Sequence, residues 1–249
     1  MLRQFASAAI AVALTTVAHG QARPLPDRAT LFKATEDNLS RAQREQSRYA
    51  YKERRTEVHA NPFGKIGTEG SLVYAVTPGP EPSVFLRTLL EDDGVAVKDA
   101  KPERQERRER LESRRAIDDV VATLNFVMDR REVRDGRDTI VVTFAPKPDA
   151  RPQTREGRLA MLFAGSIWVD ETAREVLRVE GTAIDSMSYG LGVIARLNKG
   201  TKVILTREPV QGDIWLPTSV RLTGEGRAMV FRKLTIDFAI DWYDYKRVR

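Results

Sequence analysis

The sequence predicts a mainly β protein with a few helices (an α+β fold), in which a strongly curved antiparallel sheet, or unclosed β-barrel, wraps around one or two helices. Three observations predict it. Short strand-like segments separated by Gly and Asp turns fill the second half of the chain. These segments alternate apolar and polar residues, which gives the sheet one apolar face. Few helical segments are available to cover that face, so the sheet has to curl around them.

The first twenty residues differ in composition from the rest. After Arg3 comes FASAAIAVALTTVA, an uncharged apolar run of 14 residues that ends at Ala18, and small residues stand at Ala18 and Gly20. This order predicts a secretory signal peptide over residues 1–20, with an uncleaved anchor as the alternative. The run is shorter than the roughly 20 apolar residues of a membrane-spanning helix. We therefore expect residues 21–249 to form one exported, soluble, periplasmic domain.

Two longer helical segments and a short one are predicted. The first begins after an Asp27 cap and ends near Arg44. The second is a charged central helix of about residues 101–124, whose start is the block KPERQERRERLESRR. A third, short helix follows Thr154. The central helix gains an apolar face, which predicts either a surface helix packed at one end or a lid over a concave surface. The lid candidates on this face are Ile117, Val120, Val121 and Leu124.

Strand-like segments occupy most of the remaining chain. SRYAYKERRTEV, residues 47–58, predicts an exposed edge strand, and SLVYAVT follows it. A hairpin is predicted around Asp135-Gly136, because this dipeptide favours a tight turn between alternating segments. The later strands are GSIWV, VLRVEG, LGVIARL, TKVILTREPV, DIWLPTSVRLT and AMVFRKLTIDFAIDWYDY.

The residue content excludes most catalytic chemistry. The absence of cysteine excludes disulfides, thiolate metal sites and a cysteine nucleophile. His19 lies in the predicted signal peptide, so His59 is alone, and one histidine cannot form a multi-histidine zinc site. A nucleophile elbow and a phosphate-binding loop are also missing. The net charge of +6 comes from interspersed acids and bases, which does not favour nucleic acid as a partner. The sequence predicts no enzyme, cofactor or metal site.

One stretch keeps a catalytic alternative open. GSIWVDETAREVLRVEG places Asp170 and Glu171 beside Trp168, as an acid/base pair of a glycosidase might be placed. Alternation instead predicts a hairpin, with Trp168 on one face and the neighbouring aliphatic residues on the other. In that interpretation Asp170 and Glu171 are solvated, ionised residues of the hairpin tip. We expect the second interpretation to hold.

The order of these segments resembles a known family. REVRDGRDTIVVTFAPKP, GSIWVDETAREVLRVEG, LNKGTKVILTREPVQGDIWLPTSVRLTGEGR and WYDYKRV resemble bacterial outer-membrane lipoprotein-sorting-like proteins. These belong to the LolA-like group of periplasmic carriers, which also includes the sensor domain of RseB-like regulators. The resemblance implies an unclosed antiparallel barrel, helices across its opening, and a cavity for lipoprotein acyl chains or another lipid. It also implies membrane-associated donor and acceptor proteins as partners.

Two functions are therefore expected. The first is a non-catalytic carrier or binding protein for an apolar ligand, such as a lipid or lipoprotein acyl chains. The second is an envelope sensor that binds a protein through an open strand edge, for which residues 47–58 are the candidate. The cavity candidates are the residues expected to point inward: Phe126, Ile140, Val142, Phe144, Ile167, Val169, Leu177, Val179, Val203 and Leu205.

Overall fold

The structure, a computed structural model, describes residues 23–60, 66–81, 84–106, 110–189, 195–228 and 232–248. The predicted signal peptide and the first residues of the LGVIARL segment lie outside these ranges. Its helices and strands are α1 Arg28–Gln46, β1 Tyr49–Ala60, β2 Ile66–Pro78, β3 Val84–Asp92, β4 Val95–Ala96, β5 Glu103–Glu106, α2 Arg110–Thr123, β6 Leu124–Arg134, β7 Arg137–Pro146, α3 Arg155–Ala160, β8 Phe163–Asp170, β9 Val176–Ala183, β10 Met187–Tyr189, β11 Ala195–Leu197, β12 Lys202–Gln211, β13 Ile214–Ala228 and β14 Arg232–Arg247.

The strands form one antiparallel sheet. Its order is β4-β3-β2-β1-β14-β13-β12-β9-β8-β7-β6, with β5 beside β3 and the small β10–β11 hairpin joined to β13. Within the described ranges, the two ends of this order do not pair with each other, so the sheet is curved but not closed. The predicted fold class is thus confirmed.

The β6–β7 hairpin forms where the sequence predicts it. Its turn consists of Asp135 and Gly136, which have φ values of 50° and 74°. Both angles lie in the left-handed region that the tightest hairpin turns require, and Asp and Gly adopt it most readily. Local turn chemistry is therefore sufficient to place this hairpin.

Two predicted elements differ from the structure. The segment of residues 47–58 was expected at an edge, but β1 lies between β2 and β14 in the middle of the sheet. The reason is that the last strand of the chain returns to pair with it. The helix predicted over residues 101–124 begins only at Arg110, because Glu103–Glu106 pairs with β3 as a strand.

Helix α1 packs on one side of the sheet. Its first turn is capped by Asp27, whose Oδ1 accepts a hydrogen bond from the Thr30 amide at 2.9 Å. The buried residues Leu31, Thr35 and Ala42 recur at helical spacing on one face. Leu31 is fully buried against the aliphatic side chains of β7, β8 and β9. The face predicted from the sequence is the face that packs.

Helices α2 and α3 pack together beside β6. The carboxylate of Asp119 in α2 accepts hydrogen bonds from the Gln153 and Thr154 amides and from the Thr154 hydroxyl. Gly157 of α3 is required at this contact, because a Cβ there would meet Asp119 Oδ2 at 2.1 Å. The pair is therefore fixed to each other at the β6 end of the sheet.

The buried contact between α1 and β7 should dominate stability. Ile140, at the centre of this contact, has no exposed surface. We expect Ile140→Ala to lower the free energy of unfolding by about 2–5 kcal/mol, because it removes buried carbons and leaves a cavity. Val133→Ala is the control, since Val133 is 71% exposed and should change stability by less than about 0.5 kcal/mol. Urea titration measures both, and equal effects would contradict this placement of the core.

Candidate functional site

The concave face of the sheet carries a continuous row of apolar side chains. Directly paired residues of antiparallel strands point to the same face, so the register identifies the members of the row. It takes one residue from each of seven neighbouring strands, β6 to β14 in sheet order: Met128, Val142, Ile167, Val179, Leu205, Val220 and Ile240. Val179 packs in the same cluster as Leu31 of α1. The row therefore faces α1.

Helix α1 covers only part of this row. Its side chains up to Leu39 pack on the β6–β9 part, together with Ile140, Val169 and Val176. Near its end, Ala42 packs with Leu216 of β13, and Val210 of β12 and Tyr245 of β14 border this contact. The β12–β14 part is formed by aliphatic and aromatic side chains that stay half-buried. We call this part the open apolar surface; it consists of Val203, Leu205, Val220, Leu222, Phe238 and Ile240. At about 4.8 Å between strands, it is roughly 10 Å wide.

The predicted cavity residues divide between these two parts. Four are buried in the core: Ile140, Val142, Phe144 and Val169. Phe126, Ile167 and Val179 are partly buried and pack against the α1 cluster. Val203 and Leu205 belong to the open apolar surface. The prediction that these residues share one face is consistent with their placement, and their contact with a ligand stays a prediction.

Leu177 is the exception, and its predicted orientation is wrong. It packs on the opposite face of the sheet, with Val141, Trp168 and Trp215. The reason is a β-bulge in β9: Trp168 pairs with Arg178, but the next residue, Val169, pairs with Val176. The extra residue reverses the alternation. Val176 therefore takes the position beside Val169 that the sequence pattern assigned to Leu177.

The predicted lid is also revised. Val121 is 49% exposed, so it does not cover the sheet. Leu124 is buried, but it is the first residue of β6 and not part of the helix. Ile117 and Val120 are half-buried in α2, which packs on α3 and the start of β6. The helix that covers part of the concave face is α1. The sequence predicted its apolar face but assigned the covering role to the central helix.

The tip of the β8–β9 hairpin contradicts the prediction of solvated acids. Asp170, Glu171 and Glu175 are exposed by 3%, 5% and 2%, so all three carboxylates are buried. Asp170 accepts hydrogen bonds from the amides of Thr172 and Ala173 and pairs with an arginine of β7. The acids are thus structural groups of a covered turn.

Glu171 joins the segment before α1 to the sheet. Its carboxylate is bound by Arg131 of β6 at 2.7 and 2.8 Å and by Arg23 at 2.5 Å. Arg131 also donates hydrogen bonds to the carbonyl oxygens of Arg23 and Pro24. The Arg131 hydrogen bonds hold the pKa of Glu171 below its ordinary value. The carboxylate therefore stays ionised and fixes the chain where it enters α1.

Glu175 joins α1 to the sheet at a second point. Its Oε2 accepts a hydrogen bond from the buried Arg207 of β12 at 3.1 Å. Its Oε1 accepts no hydrogen bond from the described residues, and Arg41 Nη2 of α1 lies 3.7 Å away. Burial raises the pKa of Glu175, and the charge of Arg207 opposes this only in part. Asn38 of α1 completes the contact by donating to two carbonyl oxygens of the tip.

A polar cluster borders the open apolar surface. Ile240 pairs with Arg55 of β1, and the alternate residue Glu53 shares the same face. Glu53 binds Arg87 Nη2 at 2.5 Å and Trp242 Nε1 at 3.1 Å. The Arg87 guanidinium lies 3.6 Å from the centre of the Tyr74 ring. Sequence reasoning missed this cluster, because its members come from β1, β2, β3 and β14 and become neighbours only through the register.

A groove of about 520 Å³ contains none of the predicted cavity residues, and it shares Trp242 with the polar cluster. Charged, aromatic and other side chains line it, namely Arg54, Glu208, Val210, Thr218, Asp241, Trp242, Tyr243, Asp244 and Tyr245. Among the described residues, no group of three or more His, Asp or Glu side chains is placed to hold a metal ion. No helix in the described ranges has the length and apolarity to cross a membrane.

Three of the solved structures to which this chain is similar are the following. A DUF1329 family protein from Desulfovibrio piger is 14% identical, with 87% of this chain and 92% of that chain covered and a TM-score of 0.36. A LolA superfamily protein from Nitrosomonas europaea is 12% identical, with coverage of 86% and 92% and a TM-score of 0.33. MucB, in complex with MucA, is 8% identical, with coverage of 88% and 94% and a TM-score of 0.27.

A LolA superfamily protein, of the group that the sequence resembles, is one of these solved structures. No protein-family model and no curated protein matches the chain.

The two buried glutamates should give opposite pH dependences. The pKa of Glu171 is lowered in the fold, so its stabilisation is present above the ordinary value of 4.5 and is lost as pH falls through the folded pKa. The pKa of Glu175 is raised, so its contribution is present below 4.5 and is lost as pH rises through the folded pKa. We expect Glu171→Gln to lose stability relative to the parent as pH rises, and Glu175→Gln to gain it. Denaturant titrations over a pH series measure both differences; slopes of the same sign would contradict the assignment.

Proposed function

We propose that this chain is an exported, periplasmic binding protein that holds an apolar ligand on the concave face of its sheet and catalyses no reaction. The observation that supports the proposal is the open apolar surface. It is continuous with the core row under α1, yet its own side chains stay half-buried. A contiguous row of apolar side chains that stays partly accessible on a folded protein favours a binding role.

Apolar contact alone can supply the affinity. Each 100 Å² of apolar surface removed from water contributes about 2.5 kcal/mol, against an association cost of at least about 4 kcal/mol. A ligand must therefore cover several side chains at once. The open apolar surface provides aliphatic and aromatic side chains on three adjacent strands, and its curvature lets an acyl chain or a similar ligand touch all of them.

The acids of the chain support a non-catalytic role. A carboxylate pair that works on a glycosidic bond needs access to substrate and one raised pKa near that substrate. Asp170 and Glu171 are buried under arginines and backbone amides. Glu175 has a raised pKa, but it lies in the contact between α1, β9 and β12 and not in an open cleft. These groups support the fold.

A charge on the open apolar surface should weaken ligand binding. We expect Leu205→Asp to weaken the binding of N-phenyl-1-naphthylamine, an uncharged apolar dye, by at least about tenfold, because the carboxylate has to be desolvated. Thr206→Asp is the matched control: it adds the same charge to the neighbouring residue on the opposite face, beside Arg178. Dye fluorescence measures binding, and thermal unfolding checks both folds. Equal binding by the two variants, or no binding by the parent, would overturn the proposal.

A second candidate function, a sensor that binds a protein, is favoured by one observation. In the described part of the chain, β6 is the long strand that pairs on one side only, and Val127 and Val133 on it are 59% and 71% exposed. An open strand can accept a peptide as an added strand. The bulge between Met128 and Arg130 interrupts the edge, which makes it a weaker site than the concave face.

Purification from a native envelope separates the two functions. The binding proposal expects lipid in the purified protein, detected by mass spectrometry. After cross-linking, a stoichiometric protein partner with no lipid would favour the sensor.

A further inference from the structure

We infer that the Glu53–Arg87–Trp242 cluster is a head-group site, in which Arg87 Nε donates a hydrogen bond to an oxygen of a single-chain acyl ligand whose tail lies on the open apolar surface. This inference rests on the proposed function and names the chemical class of its ligand. The ligand is an acyl chain that ends in a carboxylate or ester oxygen.

The register places the cluster at the border of the open apolar surface. Ile240, a member of that surface, pairs with Arg55, so both lie on the concave face. Glu53 is two residues from Arg55 on β1 and therefore points to the same face. Since β1 and β14 are neighbours, Glu53 lies about one strand spacing, roughly 5 Å, from the strand that carries Ile240 and Phe238. The Glu53 end of the cluster is therefore adjacent to the tail site, and Arg87 Nε lies beyond it on the side of β2 and β3.

Arg87 reaches this border from β3. Its guanidinium crosses β2 above the Tyr74 ring, at 3.6 Å from the ring centre, to bind Glu53 on β1. The ring below and the carboxylate ahead fix the plane and direction of the guanidinium. Only 17% of the Arg87 side chain is exposed. A donor held in this way loses little conformational freedom when a ligand binds.

One donor of this guanidinium is unused. Arg87 Nε is buried and has no hydrogen-bond acceptor among the described residues. A buried N–H without an acceptor costs about 1–3 kcal/mol, which an incoming acceptor oxygen would recover. Such a group makes the cluster prefer ligands that carry an oxygen near the apolar surface over pure hydrocarbons.

The charges of the cluster define the head group further. Glu53 already compensates the charge of Arg87, and it accepts a hydrogen bond from Trp242 as well. The remaining requirement at Arg87 is an acceptor atom and not a full counter-charge. The carbonyl oxygen of an acyl ester and the oxygen of a fatty acid both meet it, so both sources share one chemistry at this position.

Arg87→Lys is the decisive variant. Lysine keeps the positive charge beside Glu53 but has no N–H at the position of Nε. We expect the affinities for dodecanoate and methyl dodecanoate, measured by displacement of N-phenyl-1-naphthylamine, to fall about tenfold. The affinity for dodecane should stay unchanged. Arg178→Lys is the matched control, because Arg178 also binds a glutamate, Glu180, through a guanidinium that lies on the opposite face. It should leave all three affinities unchanged.

Glu53→Gln distinguishes the two head groups. It removes the compensating charge, so dodecanoate should bind several-fold more tightly while methyl dodecanoate changes little. If only dodecanoate responds to the two variants, the ligand type is a free acid. If dodecanoate and methyl dodecanoate both respond to Arg87→Lys, the site binds an acyl oxygen of either source.

Two results would overturn the inference. The first is an unchanged affinity of Arg87→Lys for both oxygen-containing ligands. Dye binding by the same variant would show that the apolar site is intact. An equal loss for dodecane, with thermal unfolding unchanged, would show that Arg87 only shapes the surface. If the parent binds neither the dye nor dodecane, the proposed function fails first and the inference fails with it.

Discussion

The buried carboxylates at the tip of the β8–β9 hairpin and the arginines that face them hold α1 in place, and the use of the concave face follows from that position. Glu175 is bound by Arg207 of β12 and faced by Arg41 of α1, while Glu171 is bound by Arg131 of β6 and by Arg23 before α1. Each pair joins elements that are distant in sequence. Arg207 and Glu175 are both buried, and removing one partner of such a pair costs about 3–5 kcal/mol, because a charge is left without compensation. The helix is therefore attached to the hairpin tip at two points, Glu171 and Glu175, and aliphatic side chains pack between α1 and the sheet.

This fixed position divides the concave face into two halves with different properties. Under α1, the residues of β7–β9 reach exposures near zero, as Ile140 and Val142 do. Beyond α1, the same row continues over Leu205, Val220 and Ile240, which the described residues leave half-buried. Because the alternation of the strands is the same in both halves, the difference comes from the helix and not from the sheet. The position of the helix therefore decides which side chains of the row stay partly accessible.

Much of the fold could be predicted from the sequence because it depends on local chemistry. Asp27 caps α1, Asp135-Gly136 makes the hairpin turn, and alternation assigns Ile140 and Val142 to one face. The wrong predictions concern residues whose orientation or burial depends on a single extra residue or on a partner distant in sequence. One extra residue in β9 turns Leu177 to the other face. Arg23 and Glu171 are 148 residues apart, so no local pattern shows that this acid is buried. The central position of β1 likewise depends on a strand at the far end of the chain.

The same dependence on register explains why the polar border of the open apolar surface was invisible in the sequence. Glu53, Tyr74 and Arg87 look like ordinary residues of three exposed strands, and each occurs among other charged or aromatic residues. Pairing places Glu53 opposite both Tyr74 and Trp242, so that one carboxylate receives an indole and a guanidinium. Buried polar groups are normally satisfied in full, yet here Arg87 Nε is not. An unsatisfied donor beside an uncovered apolar row is better explained by a ligand with an acyl oxygen than by either feature alone, because such a ligand would satisfy the donor and cover the row in one binding event.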